Sequence, residues 1–193
     1  LRGTEEAQTL WGYEEGSEIH GGGGDDHLNG NKGKDSLYGD AGDDTLEGGT
    51  GDDCLAGGAG NDRLEGGSGS DVYLFNRGDG RDVIAETSSE SEDMDVLRFG
   101  EGITPEQVAV ARRGGSTAYN SGDLALSLAS SDDRVTVKDF FSEKRYQIER
   151  VEFAEGTAWD VDTLKAMLLR GTEEAQTLWG YEEGSEIHGG GGD

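Results

Sequence analysis

The sequence has few of the residues that cross-link small domains, bind polyanions or cross membranes. Its 193 residues include one cysteine, Cys54, which excludes an intrachain disulfide. There are 16 basic against 42 acidic residues, and the formal net charge of −26 argues against nucleic acid or an anionic membrane as a partner. No stretch is long and apolar enough to cross a bilayer, and no signal-peptide pattern opens the chain.

Residue patterns typical of catalysis and of zinc binding are also missing. There is no Gly-x-Ser-x-Gly elbow to present a nucleophile, and His20, His27 and His188 have no zinc-ligand spacing with each other or with Cys54. A catalytic pair of acids needs two unequal environments, whereas the acids of this chain recur at equal spacing. We therefore predict that the chain is not an enzyme.

Glycine, in contrast, is abundant, with 35 residues, and much of it lies in a repeat. Six consecutive nine-residue units in residues 21–74 follow the pattern Gly-Gly-x-Gly-x-Asp-x-U-x, where U is a large apolar residue. The units are GGGGDDHLN, GNKGKDSLY, GDAGDDTLE, GGTGDDCLA, GGAGNDRLE and GGSGSDVYL. Their sixth positions are Asp26, Asp35, Asp44, Asp53, Asp62 and Asp71. Their eighth positions are Leu28, Leu37, Leu46, Leu55, Leu64 and Tyr73.

Each position of the repeat has a physical explanation that points to a metal-binding solenoid. Glycines allow tight turns whose carbonyl oxygens converge on one ion. The x-U-x triplet forms a short strand with its middle side chain inside. Two units make one coil of 18 residues, so aspartates 18 apart lie on the same edge. Calcium prefers six to eight oxygen ligands. About four calcium sites are therefore predicted, one at each of the aspartate pairs 26/44, 44/62, 35/53 and 53/71. Further sites at the ends of the roll stay open.

The repeats resemble those of the RTX family, secreted bacterial proteins whose nonapeptides bind calcium. The resemblance implies an all-β fold, a parallel β-roll or right-handed β-solenoid with two nonapeptides per coil, and it assigns the six sixth-position aspartates as metal ligands. It also implies export without a cleaved N-terminal signal, with a location outside the cell or on the bacterial surface. The segments YLFNRGDGRDVI, DVLRFGEGI, DRVTVKDFF and IERVEFAEGTAWD are similar to the haemolysin-type calcium-binding-related region that follows such repeats.

The ends of the repeat block are less regular. Residues 1–20 contain two degenerate lead-in units, GTEEAQTLW and GYEEGSEIH, which keep Leu10 and Ile19 at position eight but have Gln8 and Ser17 at position six. Terminal repeats are expected to be atypical because they cover the end of the stack. At the other end, Asp79 or Asp82 is predicted to close a terminal calcium site opposite Asp62 or Asp71.

Residues 75–168 are predicted to form a β-rich cap with one short helix. Strand patterning covers residues 72–75, 82–86, 95–99, 107–111, 123–128, 134–139 and 147–153. The predicted core of the cap is Leu97, Phe99, Ile103, Val108, Val110, Leu124, Leu126, Val135, Val137, Phe140, Phe141, Ile148, Val151, Phe153 and Trp159. The helix is expected to begin at an N-cap, Asp160 or Asp162, and to present Leu164, Met167 and Leu168 on its apolar face.

Residues 169–193 repeat residues 1–25 without a change. This identity indicates either a recent tandem duplication in a long repetitive protein or a deliberately designed sequence. We interpret residues 169–193 as the start of a further 168-residue period, and the chain as a piece of a longer protein whose neighbouring repeats are its partners.

The predicted function is a calcium-binding module that folds on binding external calcium. It would be a structural, secretion-coupled part of a large secreted or surface protein. Three alternatives stay open: an adhesin or polysaccharide-binding module, the C-terminal part of an RTX cytolysin, or the calcium-binding part of a secreted enzyme.

Overall fold

The computed structural model describes residues 1–87, 93–114 and 122–169, and these residues form two sheets, of eight and seven strands. The strands are β1 (Thr9–Trp11), β2 (Glu18–Gly23), β3 (His27–Asn29), β4 (Ser36–Ala41), β5 (Thr45–Thr50), β6 (Cys54–Ala59), β7 (Arg63–Ser68), β8 (Val72–Phe75), β9 (Arg81–Ile84), β10 (Val96–Phe99), β11 (Val108–Arg113), β12 (Asp123–Leu128), β13 (Arg134–Val137), β14 (Arg150–Phe153) and β15 (Ala158–Asp160). The α-helix of the described residues, α1, spans Val161–Leu169. Two 3₁₀ turns cover Pro105–Gln107 and Lys144–Tyr146.

Successive strands of the repeats alternate between the two sheets. The first sheet has the order β1-β3-β5-β7-β9-β13-β12-β11, and the second has the order β15-β14-β10-β8-β6-β4-β2. Neighbours in the repeat region are parallel, with Leu28 paired to Leu46 and Leu37 to Leu55. These pairs are 18 residues apart, so one coil contains two nonapeptides. The predicted parallel β-roll is confirmed.

The eighth positions of the repeats form the core of the roll. The five leucines and Tyr73 are at most 2% exposed, while the seventh and ninth positions face outward. Full burial of a leucine side chain contributes about 1.5–3 kcal/mol. Tyr73 lies within the stack, between Leu55 and Leu97 in the second sheet.

The same two sheets continue beyond the last nonapeptide. Strand β9 pairs in parallel with β7 and β13, and β10 pairs in parallel with β8 and β14. Buried Ile84 and Leu97 continue the apolar stack. The sheets therefore cross residue 75 without interruption.

Antiparallel strands then complete both sheets. Strands β11, β12 and β13 pair antiparallel in the first sheet, and β15 pairs antiparallel with β14 in the second. All the predicted core residues of the cap are buried except Val110, which is partly buried. The strand expected over 147–153 begins only at Arg150, a few residues after the second 3₁₀ turn ends at Tyr146.

The helix follows β15 directly and begins as expected. Oδ1 of Asp160 accepts a hydrogen bond from the backbone N–H of Thr163 at 2.8 Å, so Asp160, rather than Asp162, is the N-cap. Leu164 is buried, and Met167 and Leu168 pack against the core. The predicted start of a further period, residues 169–193, lies outside the described residues apart from the helix end at Leu169.

Candidate metal centre

The sixth-position aspartates of the repeats are buried in the turns between the two sheets. All six are at most 3% exposed. Each turn places its aspartate directly before a strand, so the carboxylate lies beside the turn of the coil stacked on it. The backbone N–H of Asp26 donates to Oδ1 of Asp44 at 2.7 Å, and that of Asp44 donates to Oδ1 of Asp62 at 2.8 Å. The spacing of 18 residues thus brings these acids together as predicted.

Two such rows of carboxylates run along the roll, one at each edge. In both rows the N–H of one acid bonds to the carboxylate of the acid one coil further on. The first ladder contains Asp26, Asp44, Asp62 and Asp82. The second ladder contains Asp35, Asp53, Asp71, Asp95 and Glu149.

The second oxygen of these carboxylates is the feature that points to a ligand. In the described residues, Oδ2 of each sixth-position aspartate is buried and has no hydrogen-bond partner. A buried polar atom without a partner costs about 1–3 kcal/mol, and a charged atom costs more. Such a cost at every repeat is unfavourable unless a cation binds these oxygens.

The first-position glycines make room for these oxygens. A Cβ atom built on Gly30 would lie 2.7 Å from Oδ2 of Asp35 and 2.5 Å from the carbonyl oxygen of Gly48, one coil further on. A side chain at this position would therefore occupy the space between a carboxylate and a turn carbonyl. The glycine keeps open a space lined by two kinds of oxygen, which are the ligands that calcium prefers.

The metal-free carboxyls are held in an unfavourable environment. Burial raises the pKa of Asp44 and Asp71 to about 6 and the pKa of Asp53 and Asp62 to about 7. Burial also raises the pKa of Asp35. Neighbouring acids of the same ladder add to the shift for Asp44, Asp53 and Asp62. The folded roll therefore favours either protons or cations on these groups.

The lead-in units occupy the same places without the acid. Leu10 pairs with Leu28, and the N–H of Gln8 donates to Oδ1 of Asp26 at 2.7 Å. The Gln8 side chain donates to Thr4 and to the Glu6 carbonyl, while Oγ of Ser17 accepts from the N–H of Tyr13. These neutral side chains are satisfied locally, as expected of a degenerate repeat.

At the C-terminal end of the roll, the two predicted terminal ligands, Asp79 and Asp82, differ in their hydrogen bonds. Asp82 continues the first ladder, since its Oδ1 accepts from the N–H of Asp62 at 3.1 Å and its Oδ2 is buried without a partner. Burial raises its pKa to about 8. Oδ2 of Asp79 instead accepts from the N–H of Asn76 at 2.6 Å, which closes a turn. Asp82, opposite Asp62, is thus the residue that has the free oxygen.

Sequence reasoning missed the acids that extend the second ladder. Asp95 lies 24 residues after Asp71, and its Oδ1 accepts from the N–H of Asp71 at 2.9 Å. The N–H of Asp95 in turn donates to Oε2 of Glu149 at 2.9 Å. The signal was the acid-x-apolar triplet, which Asp95-Val96-Leu97 and Glu149-Arg150-Val151 keep after the glycines are gone.

Further hydrogen bonds, also missed, run along the outside of both edges at the fifth positions. Oδ1 of Asp25 accepts from the N–H of Asp43 at 2.9 Å, and Oδ1 of Asp52 accepts from the N–H of Ser70 at 3.0 Å. Asp25, Asp43 and Asp52 are exposed. Water can solvate their remaining oxygens, so these hydrogen bonds order the turns without requiring a cation.

Cys54 lies at a seventh position, where sequence reasoning expected an outward side chain. It is half-buried, and burial raises the pKa of its thiol. A raised pKa lowers the thiolate fraction, which disfavours a reactive role for this thiol. In the described part of the chain, no helix has the length and apolar character needed to cross a membrane.

Fold and ladders together define a calcium-binding parallel β-roll built from nonapeptide repeats. The RTX calcium-binding nonapeptide repeat (4 copies) matches residues 11–46, 20–55, 38–73 and 47–84. The haemolysin-type calcium binding protein related domain matches residues 123–163. The chain therefore belongs to the RTX family, and its repeats are a structural, calcium-binding module.

The chain is 35% identical over 124 residues to the iron-regulated protein FrpA of Neisseria meningitidis serogroup C. The alignment covers 63% of this chain and 10% of that relative. The chain thus spans only about a tenth of the length of that relative.

Proposed function

We propose that the roll folds when it binds external calcium, and that the sixth-position aspartates are the ligands. The observation that carries this proposal is the buried, partnerless Oδ2 atom that recurs at each of these aspartates. An isolated unsatisfied acid has many explanations, but the same one in every repeat has a repeated cause. A divalent cation beside each pair of stacked turns is such a repeated cause.

About four sites follow from the stacking. Along the first ladder, the turns of Asp26 and Asp44 hold one ion and those of Asp44 and Asp62 hold another. Along the second ladder, the pairs 35/53 and 53/71 hold two more. First-position glycine carbonyls supply further oxygens to each site. Asp82 would extend the first ladder by one more site, and Asp79 would contribute only if its turn opened.

Folding and calcium binding are coupled because the apolar core of the roll contributes little stability by itself. Each 18-residue coil buries two large apolar side chains, against the backbone entropy of a glycine-rich chain. Without cations, the acids repel one another and must be protonated or desolvated. Calcium binding energy therefore becomes folding free energy, as in other small metal-stabilised domains.

This coupling suits a structural module of a large secreted or cell-surface bacterial protein. Unfolded repeats pass an export channel more readily than a rigid roll does, and external calcium at about 10⁻⁴–10⁻³ M would fold them afterwards.

The polysaccharide-binding alternative needs a row of exposed aromatics. Among the described residues, Trp11 and Tyr13 are exposed, but Tyr38 stacks on His20 at 4.6 Å between ring centroids.

A calcium titration tests the proposal. Far-UV circular dichroism of the whole chain is recorded in EDTA and through millimolar calcium, with magnesium as the control ion. We expect a cooperative gain of β signal with calcium at neutral pH. The same spectrum in EDTA and in calcium contradicts the proposal.

Residues 75–168 are proposed to be the end on which the roll nucleates. Strands β9 and β10 present edges that match β7 and β8 in parallel register, so an ordered cap offers a template for the last coil. Removing residues 75–168 should then impair calcium-induced folding of the repeats. Unimpaired folding of the truncated chain refutes this role.

A further inference from the structure

Three acids from different segments meet where the last nonapeptide joins the cap. One oxygen each of Asp71, Glu86 and Asp95 lie within 4.8 Å of one another. Their exposed fractions are 0%, 2% and 3%. Asp71 precedes β8, Glu86 follows β9 and Asp95 precedes β10, so the group joins both sheets. We name this group the junction cluster.

Glu86 reaches the cluster because it occupies the place of a repeat glycine. Leu64 pairs with Ile84, and Glu86 lies two residues after Ile84, as Gly66 lies two residues after Leu64. In the repeats this position is a first-position glycine with space beside its aspartate. At the end of the roll, the glutamate side chain enters that space and adds a third carboxylate to the pair of Asp71 and Asp95.

Tyr73 holds the glutamate in position. The eighth position is leucine in the other five nonapeptides and tyrosine here. The Tyr73 hydroxyl donates to Oε1 of Glu86. The same hydroxyl accepts from the N–H of Gly66 at 2.6 Å. The tyrosine thus orients one oxygen of Glu86 and leaves Oε2, which is buried, without a partner.

The cluster is short of positive charge. Oδ2 of Asp71 and Oε2 of Glu86 are buried without hydrogen-bond partners, and no lysine or arginine of the described residues forms an ion pair with any of the three acids. Three buried carboxylates at this separation repel one another strongly. Burial and this repulsion raise the pKa of Glu86 and of Asp95 above the usual range.

We infer that the junction cluster binds a calcium ion through Asp71, Glu86 and Asp95, in addition to the ions held within the repeats. Two oxygens bound to one calcium ion at about 2.4 Å lie at most about 4.8 Å apart. The three acids satisfy this limit before any side chain moves. The site differs from the repeat sites in having three carboxylates, one of which comes from outside the nonapeptides.

The ion would join the roll to the cap. Its ligands come from the last repeat and from the two segments that follow it, so the ion binds only when these segments are assembled. The site shares Asp71 with the proposed repeat sites, but its other two ligands are independent of them. Loss of the junction ion should therefore leave the sites of Asp26, Asp35 and Asp44 in place.

The test counts calcium ions on the whole chain by equilibrium dialysis and compares Glu86→Gln with Glu65→Gln. Glutamine at 86 keeps an acceptor for the Tyr73 hydroxyl but lacks the charge. Glu65 is a nearby acid on the outer face that pairs with Arg63 and accepts from Thr87 at 3.0 Å, so it controls for the loss of one negative charge outside the cluster. We expect Glu86→Gln to bind about one ion fewer, and Glu65→Gln to bind the same number as the unchanged protein.

An unchanged number of ions and an unchanged affinity in Glu86→Gln overturn the inference, and Glu86 is then a protonated side chain that fills the space of a cation. This result leaves the repeat sites unaffected, since those are tested at Asp53 and the other sixth positions. If Glu86→Gln fails to fold, terbium replaces calcium and Tyr73 is the sensitiser. We expect Tyr73→Phe to lower tyrosine-excited terbium emission, and unchanged emission overturns the site.

Discussion

The backbone N–H of Asp53 donates to Oδ1 of Asp71 at 2.8 Å, and Oδ2 of Asp71 is buried without a partner. One oxygen of each acid therefore fixes the turn of the preceding coil, and the other is free for a cation. The two roles are linked, since a carboxylate held by the backbone needs no further ordering to bind metal. The folding of one coil thus orients the carboxylate that binds calcium in the next coil.

Replacing Asp53 by asparagine should weaken calcium-induced folding. Asparagine keeps an oxygen for the N–H of Asp35, but it lacks the charge and the second oxygen that face the cation. Interactions of charged groups of this kind contribute about 1.5–3 kcal/mol. We expect the calcium midpoint measured by circular dichroism to rise about tenfold or more, since each tenfold corresponds to about 1.4 kcal/mol.

The adjacent acid provides the matched control for this variant. Asp52→Asn makes the same change of charge in the same turn, but Asp52 is exposed, and asparagine can still accept from the N–H of Ser70. Its calcium midpoint should move by less than about twofold, since surface charges contribute little. Equal shifts in the two variants would mean that total charge, and not the buried oxygen, sets the affinity.

The pH dependence of the metal-free chain should be the reverse of ordinary acid denaturation. An unperturbed aspartate has a pKa of 3.8, and burial raises the pKa of Asp53 and Asp62 to about 7 and that of Asp82 to about 8. Between about pH 4 and pH 8 the folded state then binds more protons than the unfolded state, so stability falls as pH rises. In EDTA, we expect more β signal at pH 5 than at pH 8.

Calcium reverses this trend, and this reversal is the control for the pH experiment. Protons and calcium compete for the same oxygens, so the calcium concentration needed for folding should fall as pH rises from about 5 to about 8. A β signal in EDTA that increases over this range contradicts the assignment of the buried acids as the groups that destabilise the metal-free roll.

The repeat region was predictable from the sequence because its structure depends on local spacing. An aspartate and a leucine in phase every nine residues determine the coil, the inward face and the two edges, and Asp44 and Leu46 lie where this spacing places them. A similar local rule predicted the helix N-cap as Asp160 or Asp162, and Asp160 is the one that caps the helix. In each case the partners are set by distance along the chain.

The junction cluster was not predictable, because its spacing depends on how the cap folds. Asp95 comes 24 residues after Asp71 instead of 18, and Glu149 comes 54 residues after Asp95. Glu86 faces the site only because the β9 strand is in register with β7. These separations follow from tertiary packing, which no repeat period encodes.

Gly48→Ala should impair calcium binding although alanine is a small residue. A Cβ atom at Gly48 would lie 2.5 Å from Oδ2 of Asp53 and 2.6 Å from the carbonyl oxygen of Gly66, and real Cβ contacts are essentially never that short. Both atoms border the proposed cation space, and the second belongs to rigid backbone. We expect a higher calcium midpoint by circular dichroism and less bound calcium at saturation.

Gly23→Ala is the matched control, because it adds the same methyl group to a third-position glycine. Its Cβ would meet the end of the Glu5 side chain at 2.8 Å, and that side chain can move. The calcium midpoint should therefore stay close to that of the unchanged protein. A comparable loss in Gly23→Ala would show that any methyl group in the turns is disruptive.

Leu46→Ala should destabilise the calcium-loaded roll without removing a ligand. Leu46 is fully buried between Leu28 and Leu64, and neighbouring coils cannot close the gap because the hydrogen bonds of the sheet fix their spacing. A cavity of this kind costs about 2–5 kcal/mol. In urea unfolding at saturating calcium, we expect a loss of that size, while Leu74→Ala on the outer face should lose much less. Equal losses would mean that the leucine stack does not form the core, and calcium alone would then hold the coils together.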